Sequence, residues 1–171
     1  MFRASASIHA HFAHHVRGHS GPCISLHGHT WKLEVVLEAR ELDQEGFVVD
    51  FDRVHAELLL PCFQLLDHSL ALGEATWRET KELLVPLGVA LVQSRLETLG
   101  HEGDAPDCVS GELAGARNER PGGIKLAVFP FTPTSERLAE WLHDTARARF
   151  ADDRVRVACG RVFETLSLIH I

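Results

Sequence analysis

Cysteine is scarce and scattered in this chain. There are four, Cys23, Cys62, Cys108 and Cys159, irregularly spaced and without a C-x-x-C pair. No disulfide framework can be read from that spacing. Long apolar runs are missing as well. No stretch approaches the roughly 20 residues that span a bilayer. The opening residues, Met-Phe-Arg-Ala-Ser-Ala-Ser, hold no apolar core of a signal peptide. The expected setting is a reducing cytoplasm, with no membrane partner. Positive charge is in deficit too. Seventeen Lys and Arg stand against 24 Asp and Glu, for a formal net charge of −7. That balance argues against nucleic-acid binding as the main role, while leaving room for a local basic pocket. The hydrophobic share, 45%, is ordinary for a globular protein. The 171 residues suffice for one cored domain, or one domain with an insertion.

Histidine is what the chain has in excess. Seven of its twelve His fall within the first 29 residues. His27 and His29 are two apart, and on a strand i and i+2 share a face. Upstream, Ile8, Ala10, Phe12 and His14 would share one strand face, and His9, His11, Ala13 and His15 the other. The face with Phe12 looks inward, which favours His14 over His11 as a third imidazole. Three neutral imidazoles leave one position of a tetrahedral Zn²⁺ open, the layout of a catalytic rather than a structural zinc. Cys23, four residues before His27, could place a thiol base beside that position. The competing readings are a solvated histidine-rich strand and, for Cys23, a small buried hydrophobe.

Periodicity places these residues on a coarse frame. Strands are expected at Ile8–His14 and Trp31–Leu37. A turn over residues 42–46 followed by extended Phe47-Val48-Val49 suggests an antiparallel hairpin. Asp50 or Asp52 can cap a helix that Pro61 should kink or divide and that leads into Leu66-Asp67-His68. Residues 78–99 have helical spacing interrupted by Pro86. Residues 100–123 read as a long loop. A strand at Ile124–Phe131 precedes a helix to Phe150, with Thr134 as N-cap and Glu136 at the positive end of its dipole. Val155, Val157 and Cys159 alternate on a last strand ending at Glu164.

Together the motifs resemble the 6-pyruvoyl-tetrahydropterin synthase / 6-carboxy-tetrahydropterin synthase family. The matching pieces stand in the family's order: Ala13-His14, Cys23-x-x-x-His27-Gly28-His29, Gly46 through Asp50-Phe51, Leu66-Asp67-His68, Pro133-Thr134-Ser135-Glu136 with Leu138-Ala139, and Glu164-Thr165. The resemblance covers roughly residues 8–72 and 130–165. It implies an α+β T-fold, an antiparallel four-stranded sheet with two helices on one face. Here a helical or loop insertion at about 73–129 is added, in a single domain spanning 1–165. It also implies a homo-oligomer, trimer-based and up to a hexamer, with active sites between subunits. The closing residues 166–171 resemble translated sequencing-adaptor DNA and are expected to be a non-native tail, so His170 receives no role.

The implied chemistry follows from the same resemblance. The substrate is 7,8-dihydroneopterin triphosphate. His14, His27 and His29 hold Zn²⁺, Cys23 is the base at carbon, Asp67 and His68 assist proton transfer, and Glu164 anchors the pterin ring. Arg17, Lys32 and Arg161 are candidate cations for the triphosphate. Each assignment has a plainer rival: a helix-end cap for Asp67-His68, a solvated carboxylate for Glu164. The three residues between Cys23 and His27 resemble the 6-carboxy branch, on the route to queuosine. The alternatives are 6-pyruvoyl-tetrahydropterin synthase and a non-catalytic metal- or pterin-binding module.

Overall fold

The computed structural model describes residues 1–99, 110–164 and 167–170. Two long strands form its centre. β1 (Phe2–His14) and β2 (His27–Ala39) pair antiparallel from Phe2↔Ala39 to His14↔His27. Between them lies a loop with one 3₁₀ turn, Pro22–Ile24, which carries Cys23. β1 is longer than its apolar alternation suggested, because the half before Ile8 alternates Ala with Arg and Ser.

After β2 the chain turns at residues 40–50. Asp50 is an N-cap, its Oδ1 accepting from Asp52 N at 2.9 Å. A helix follows in three joined parts: α1 (Phe51–Val54), a π-helical turn (His55–Leu59) and α2 (Leu60–Leu66). Pro61 does not divide this helix: Leu59 and Leu60 keep helical dihedrals, and the wider π-helical turn immediately before Pro61 is where the regular α-helical pattern is interrupted. β3 (Leu70–Gly73) leads directly into α3 (Glu74–Leu99), which contains Pro86. The hairpin β4 (Glu112–Leu113) and β5 (Ala116–Glu119) precedes β6 (Leu126–Phe129). α4 (Ser135–Phe150), β7 (Val155–Glu164) and β8 (Ser167–His170) complete the order.

Three expectations are corrected. The sheet has eight strands, in the order β4-β5-β6-β3-β1-β2-β7-β8, not four. It is also mixed: β3 runs parallel to both β1 and β6. Phe47-Val48-Val49 forms no hairpin with β2, whose two edges are taken by β1 and β7. Val48 and Val49 are buried against the core instead, which explains their apolar character. The stretch 100–123 is not one loop, since β4 and β5 fall inside it and extend the sheet. Polar residues such as Arg117 and Asn118 of β5 hid these short strands from an apolar-pattern reading. Cys108 lies outside the described residues.

The two helices on one face are as expected. α1–α2 and α4 cover the side of the sheet that presents Ala10, Phe12, Trp31, Leu33, Val35, Leu37 and Val162. α4 contributes Leu138, Leu142 and Ala146 to this core. α3 covers the opposite face at one end of the sheet. Leu72, Leu126 and Val128 pack there against Trp77 and Leu84. Strands β3 and β6 are therefore covered on both sides, as parallel strands usually are, and β6 reads as the unbroken apolar run Leu-Ala-Val-Phe. α3 is docked closely at its middle: a Cβ on Gly88 would lie 2.2 Å from the Pro121 carbonyl oxygen. Its contact is the 3₁₀ turn Pro121–Gly123, where Gly122 adopts φ 61°.

The face of β1-β2-β7 turned away from the core carries rows of charge. Glu34 accepts from Lys32 and Arg161, both at 2.7 Å. Glu38 accepts from Arg3 at 2.8 Å and from Arg156. Glu34↔Arg161, Arg3↔Glu38 and Glu38↔Arg156 are register partners, so the pairing is cross-strand.

Leu142 is fully buried between α4 and the sheet. Leu142→Ala should cost about 2–5 kcal/mol through the cavity it leaves. The urea midpoint should fall with little change in slope.

Candidate metal centre

His14 closes β1, and His27 and His29 open β2. The register His14↔His27 places the strand ends side by side, so pairing alone brings the imidazoles together. Their ring centroids are 4.6–5.6 Å apart. Glu164 arrives at the end of β7, as the register partner of Trp31. His14, His27, His29 and Glu164 each offer one ligand atom, and these atoms lie within 4.8 Å of one another. Trp31 forms the floor, with its ring 5.0 Å from that of His14 and 5.4 Å from that of His29.

The protonation pattern is set from outside the cluster. His14 Nδ1 lies 2.8 Å from the Pro133 carbonyl oxygen, and His27 Nδ1 lies 2.8 Å from that of Ser25. A carbonyl only accepts, so both Nδ1 atoms must carry the hydrogen. Both Nε2 atoms are then lone-pair donors when the rings are neutral. They face each other at 3.1 Å. Two lone pairs at that distance repel unless a cation lies between or beside them. Ligands of a tetrahedral zinc at about 2.0–2.1 Å would stand about 3.3 Å apart. The donor set therefore fits a transition-metal ion, and the two carbonyls are the outer partners that orient such ligands. Burial pushes the His14 pKa below its usual value, against the Pro133 hydrogen bond and the Glu164 charge, which raise it. The neutral form of His14, the one that binds a metal, is favoured.

Glu164 stands closer to the histidines than a purely ring-anchoring residue needs to. Its Oε1 is 2.7 Å from His29 Nε2 and 3.6 Å from His14 Nε2. Ser135 Oγ donates to the other oxygen, Oε2. The same carboxylate is thus a candidate fourth ligand. The Pro133-Thr134-Ser135 segment was legible as a helix start, and Thr134 does cap α4. Its second task, supplying the Pro133 carbonyl and the Ser135 hydroxyl to this cluster, had no signal beyond the motif itself.

The other expected site residues are placed as follows. Cys23 is half-buried on the 3₁₀ turn between the two histidine-bearing strand ends. Asp67 and His68 do face each other, with His68 Nδ1 2.6 Å from Asp67 Oδ2. The backbone bends to achieve it: His68 has φ 54°, a left-handed conformation uncommon for a side-chain-bearing residue. Asp67 Oδ1 accepts from His11 N at 2.9 Å, and His68 N donates to His11 O at 2.8 Å. The pair is tied to β1 beside His11, whose side chain points to the opposite face from His14. His11 itself contacts Thr30 Oγ1 at 3.2 Å and is not one of the clustered ligands. The candidate triphosphate cations are all engaged: Arg17 with Glu79, Lys32 and Arg161 with Glu34. Asp50 is a cap, as expected.

Two outcomes are expected in solution. His27→Ala or His29→Ala should lower bound metal well below roughly one ion per chain by elemental analysis, and metal addition should no longer raise Tm. Separately, burial pushes the Cys62 thiol up to about 12. Alkylation at pH 8 followed by peptide mapping should modify Cys23 and leave Cys62 untouched until the chain is unfolded.

Comparison with known proteins bears on this geometry. The family model for 6-pyruvoyl tetrahydropterin synthase matches residues 5–169. A 6-carboxy-5,6,7,8-tetrahydropterin synthase of Haemophilus influenzae is 29% identical over 84 residues, 47% of this chain and 60% of that protein. One from Rickettsia bellii is 33% identical over 74 residues, 43% of this chain and 54% of that protein. The chain thus spans about half to three-fifths of the length of these relatives. Among solved structures, an uncharacterized protein of Wolinella succinogenes superposes with TM-score 0.59 at 22% identity, covering 99% of this chain and 97% of the other. The 6-pyruvoyl tetrahydropterin synthase of Caenorhabditis elegans gives 0.55 at 12% identity, covering 99% and 94%. At those identities the structures speak for the fold. With the family model covering nearly the whole sequence, the chain belongs to the 6-pyruvoyl tetrahydropterin synthase family.

Proposed function

We propose that this protein is a zinc-dependent 6-carboxy-5,6,7,8-tetrahydropterin synthase, converting 7,8-dihydroneopterin triphosphate with loss of triphosphate and a two-carbon aldehyde. The observation that carries the reading is the pair of imidazole lone pairs, on His14 and His27, fixed 3.1 Å apart by carbonyl partners. Such a pair makes sense as one side of a metal site. His29 completes the imidazole set, with Glu164 either a fourth ligand or the acceptor for the pterin ring's amino and N–H groups.

Bound Zn²⁺ would supply a Lewis acid for the substrate's side-chain oxygens. The chain's own residues supply the rest. Cys23 takes the proton from carbon, and its half-buried place on the loop joining β1 and β2 suits a thiol that must meet a small molecule. Asp67 holds His68 through Nδ1, which fixes the tautomer and leaves Nε2 free to accept or return a proton. His68 is 77% exposed at its side chain and sits by His11, on the sheet face opposite His14. That separation supports a homo-oligomer whose sites are completed across subunits.

The three-residue spacing of Cys23 and His27 and the names of the sequence relatives favour the 6-carboxy product. The alternative branch, the 6-pyruvoyl synthase reaction, eliminates triphosphate alone. The cytoplasm is the proposed compartment, in keeping with the scattered cysteines, which suggest no disulfide framework.

The test is product mass after incubating zinc-loaded protein with 7,8-dihydroneopterin triphosphate. The 6-carboxy product should appear, and a chelator should stop its formation. Cys23→Ala should lower kcat about 10²–10⁴-fold with metal content unchanged. Full turnover in that variant would return Cys23 to a packing role.

A further inference from the structure

The helix α3 is joined to the Cys23 loop by two independent contacts. Thr76, in the first turns of α3 and only 7% exposed, lies 3.2 Å from His15 Nε2. His15 Nδ1 lies 3.3 Å from the Ile24 carbonyl oxygen. The carbonyl can only accept, so the ring hydrogen of neutral His15 sits on Nδ1 and Nε2 accepts from the Thr76 hydroxyl. The chain of contacts runs in one direction, from helix hydroxyl to imidazole to the carbonyl of the residue after Cys23. One helical turn later, Glu79 receives both guanidinium nitrogens of Arg17, with Nη2 to Oε1 at 2.8 Å. The loop closes on itself through Val16 N to Cys23 O at 2.8 Å. His15 and Arg17 are thereby held to α3, Ile24 to His15, and Cys23 to Val16.

We propose that Thr76 and Glu79 are positioning residues for Cys23, acting through His15 and Arg17, so that α3 works as a strut for the loop that carries the reactive thiol. The proposal rests on the functional reading above for its consequence, but not for its geometry. α3 is suited to the task because its other anchorage is firm. Its start continues β3, which pairs with β1 at His14↔Ala71. Its middle is locked at Gly88 against the Pro121–Gly123 turn. Exposed ion pairs contribute little stability alone, so the role of Arg17–Glu79 is geometric. It also accounts for Arg17, which a triphosphate would otherwise be expected to claim.

The experiment uses the full-length, metal-loaded protein and two readouts. One is kcat and KM for 7,8-dihydroneopterin triphosphate. The other is the rate of iodoacetamide modification at the Cys23 peptide, which needs no turnover. Thr76→Val and Glu79→Gln should each lower kcat about tenfold or more at nearly constant KM, since a small displacement of a reacting group is costly. Both should speed Cys23 modification several-fold with metal content unchanged. Thr76→Ser, which keeps the hydroxyl, should behave as the parent. Arg17→Gln should match Glu79→Gln in both readouts. Parental kcat and modification rate in Thr76→Val and Glu79→Gln would overturn the strut. So would a lower KM in Glu79→Gln with a higher one in Arg17→Gln, because Arg17 would then be a phosphate anchor restrained by Glu79. If the parent protein shows no turnover with this substrate, the functional reading fails, and the modification rates alone decide the strut.

Discussion

Two carbonyl oxygens, of Pro133 and Ser25, decide the character of this site. Each takes the Nδ1 hydrogen of one imidazole, and between them they force His14 and His27 to present bare Nε2 atoms to each other. The arrangement is unfavourable in isolation and becomes favourable only with positive charge nearby. The fold supports that cost. The strand pairing of β1 and β2 sets the separation, Trp31 closes one side, and α4 begins where Pro133 and Ser135 are needed. The fit of this cluster to a metal ion thus rests on backbone geometry as well as on side-chain identity.

The same economy appears in how each acid is used. Glu164 touches two histidines and a serine, so its charge is committed to the cluster from three directions. Asp67 divides its oxygens between the His11 backbone and the His68 ring. A carboxylate with both oxygens engaged cannot swing, and the imidazole it holds is correspondingly fixed. The left-handed backbone at His68 is the local cost of turning that ring back onto Asp67.

Much of the site was legible because strand alternation is strict. Phe12 and His14 inward, His27 and His29 on one face, and Thr134 as a cap follow from spacing alone, and each is found. The long-range partners were not. Nothing in the run Pro133-Thr134-Ser135 says that its carbonyl will reach His14 across 119 residues of sequence. Composition also misled where function of the strand differs from its pattern. β4 and β5 carry polar residues because Asn118 and Arg117 are hydrogen-bonding elements, Asn118 to the carbonyls of Leu65 and Leu126, Arg117 to Glu74 and Glu119. Phe47-Val48-Val49 looked like a strand because it is apolar, yet it is irregular, with Val48 and Val49 packed into the core and Phe47 exposed.

The charged rows on the uncovered face of β1-β2-β7 have a consequence for acid. Hydrogen bonds from Arg3 and Arg156 outweigh burial and hold the Glu38 carboxyl below its usual range. Burial raises Glu34, but Lys32 and Arg161 bring it below as well. A carboxyl whose folded value is depressed adds stability above its ordinary titration range and forfeits it as pH falls through the folded value. Once those two protons are taken up, three arginines and a lysine remain with no counter-charge. The patch, already two charges positive near pH 7 with four cations against two carboxylates, becomes wholly cationic in acid and would then repel another cationic surface more strongly.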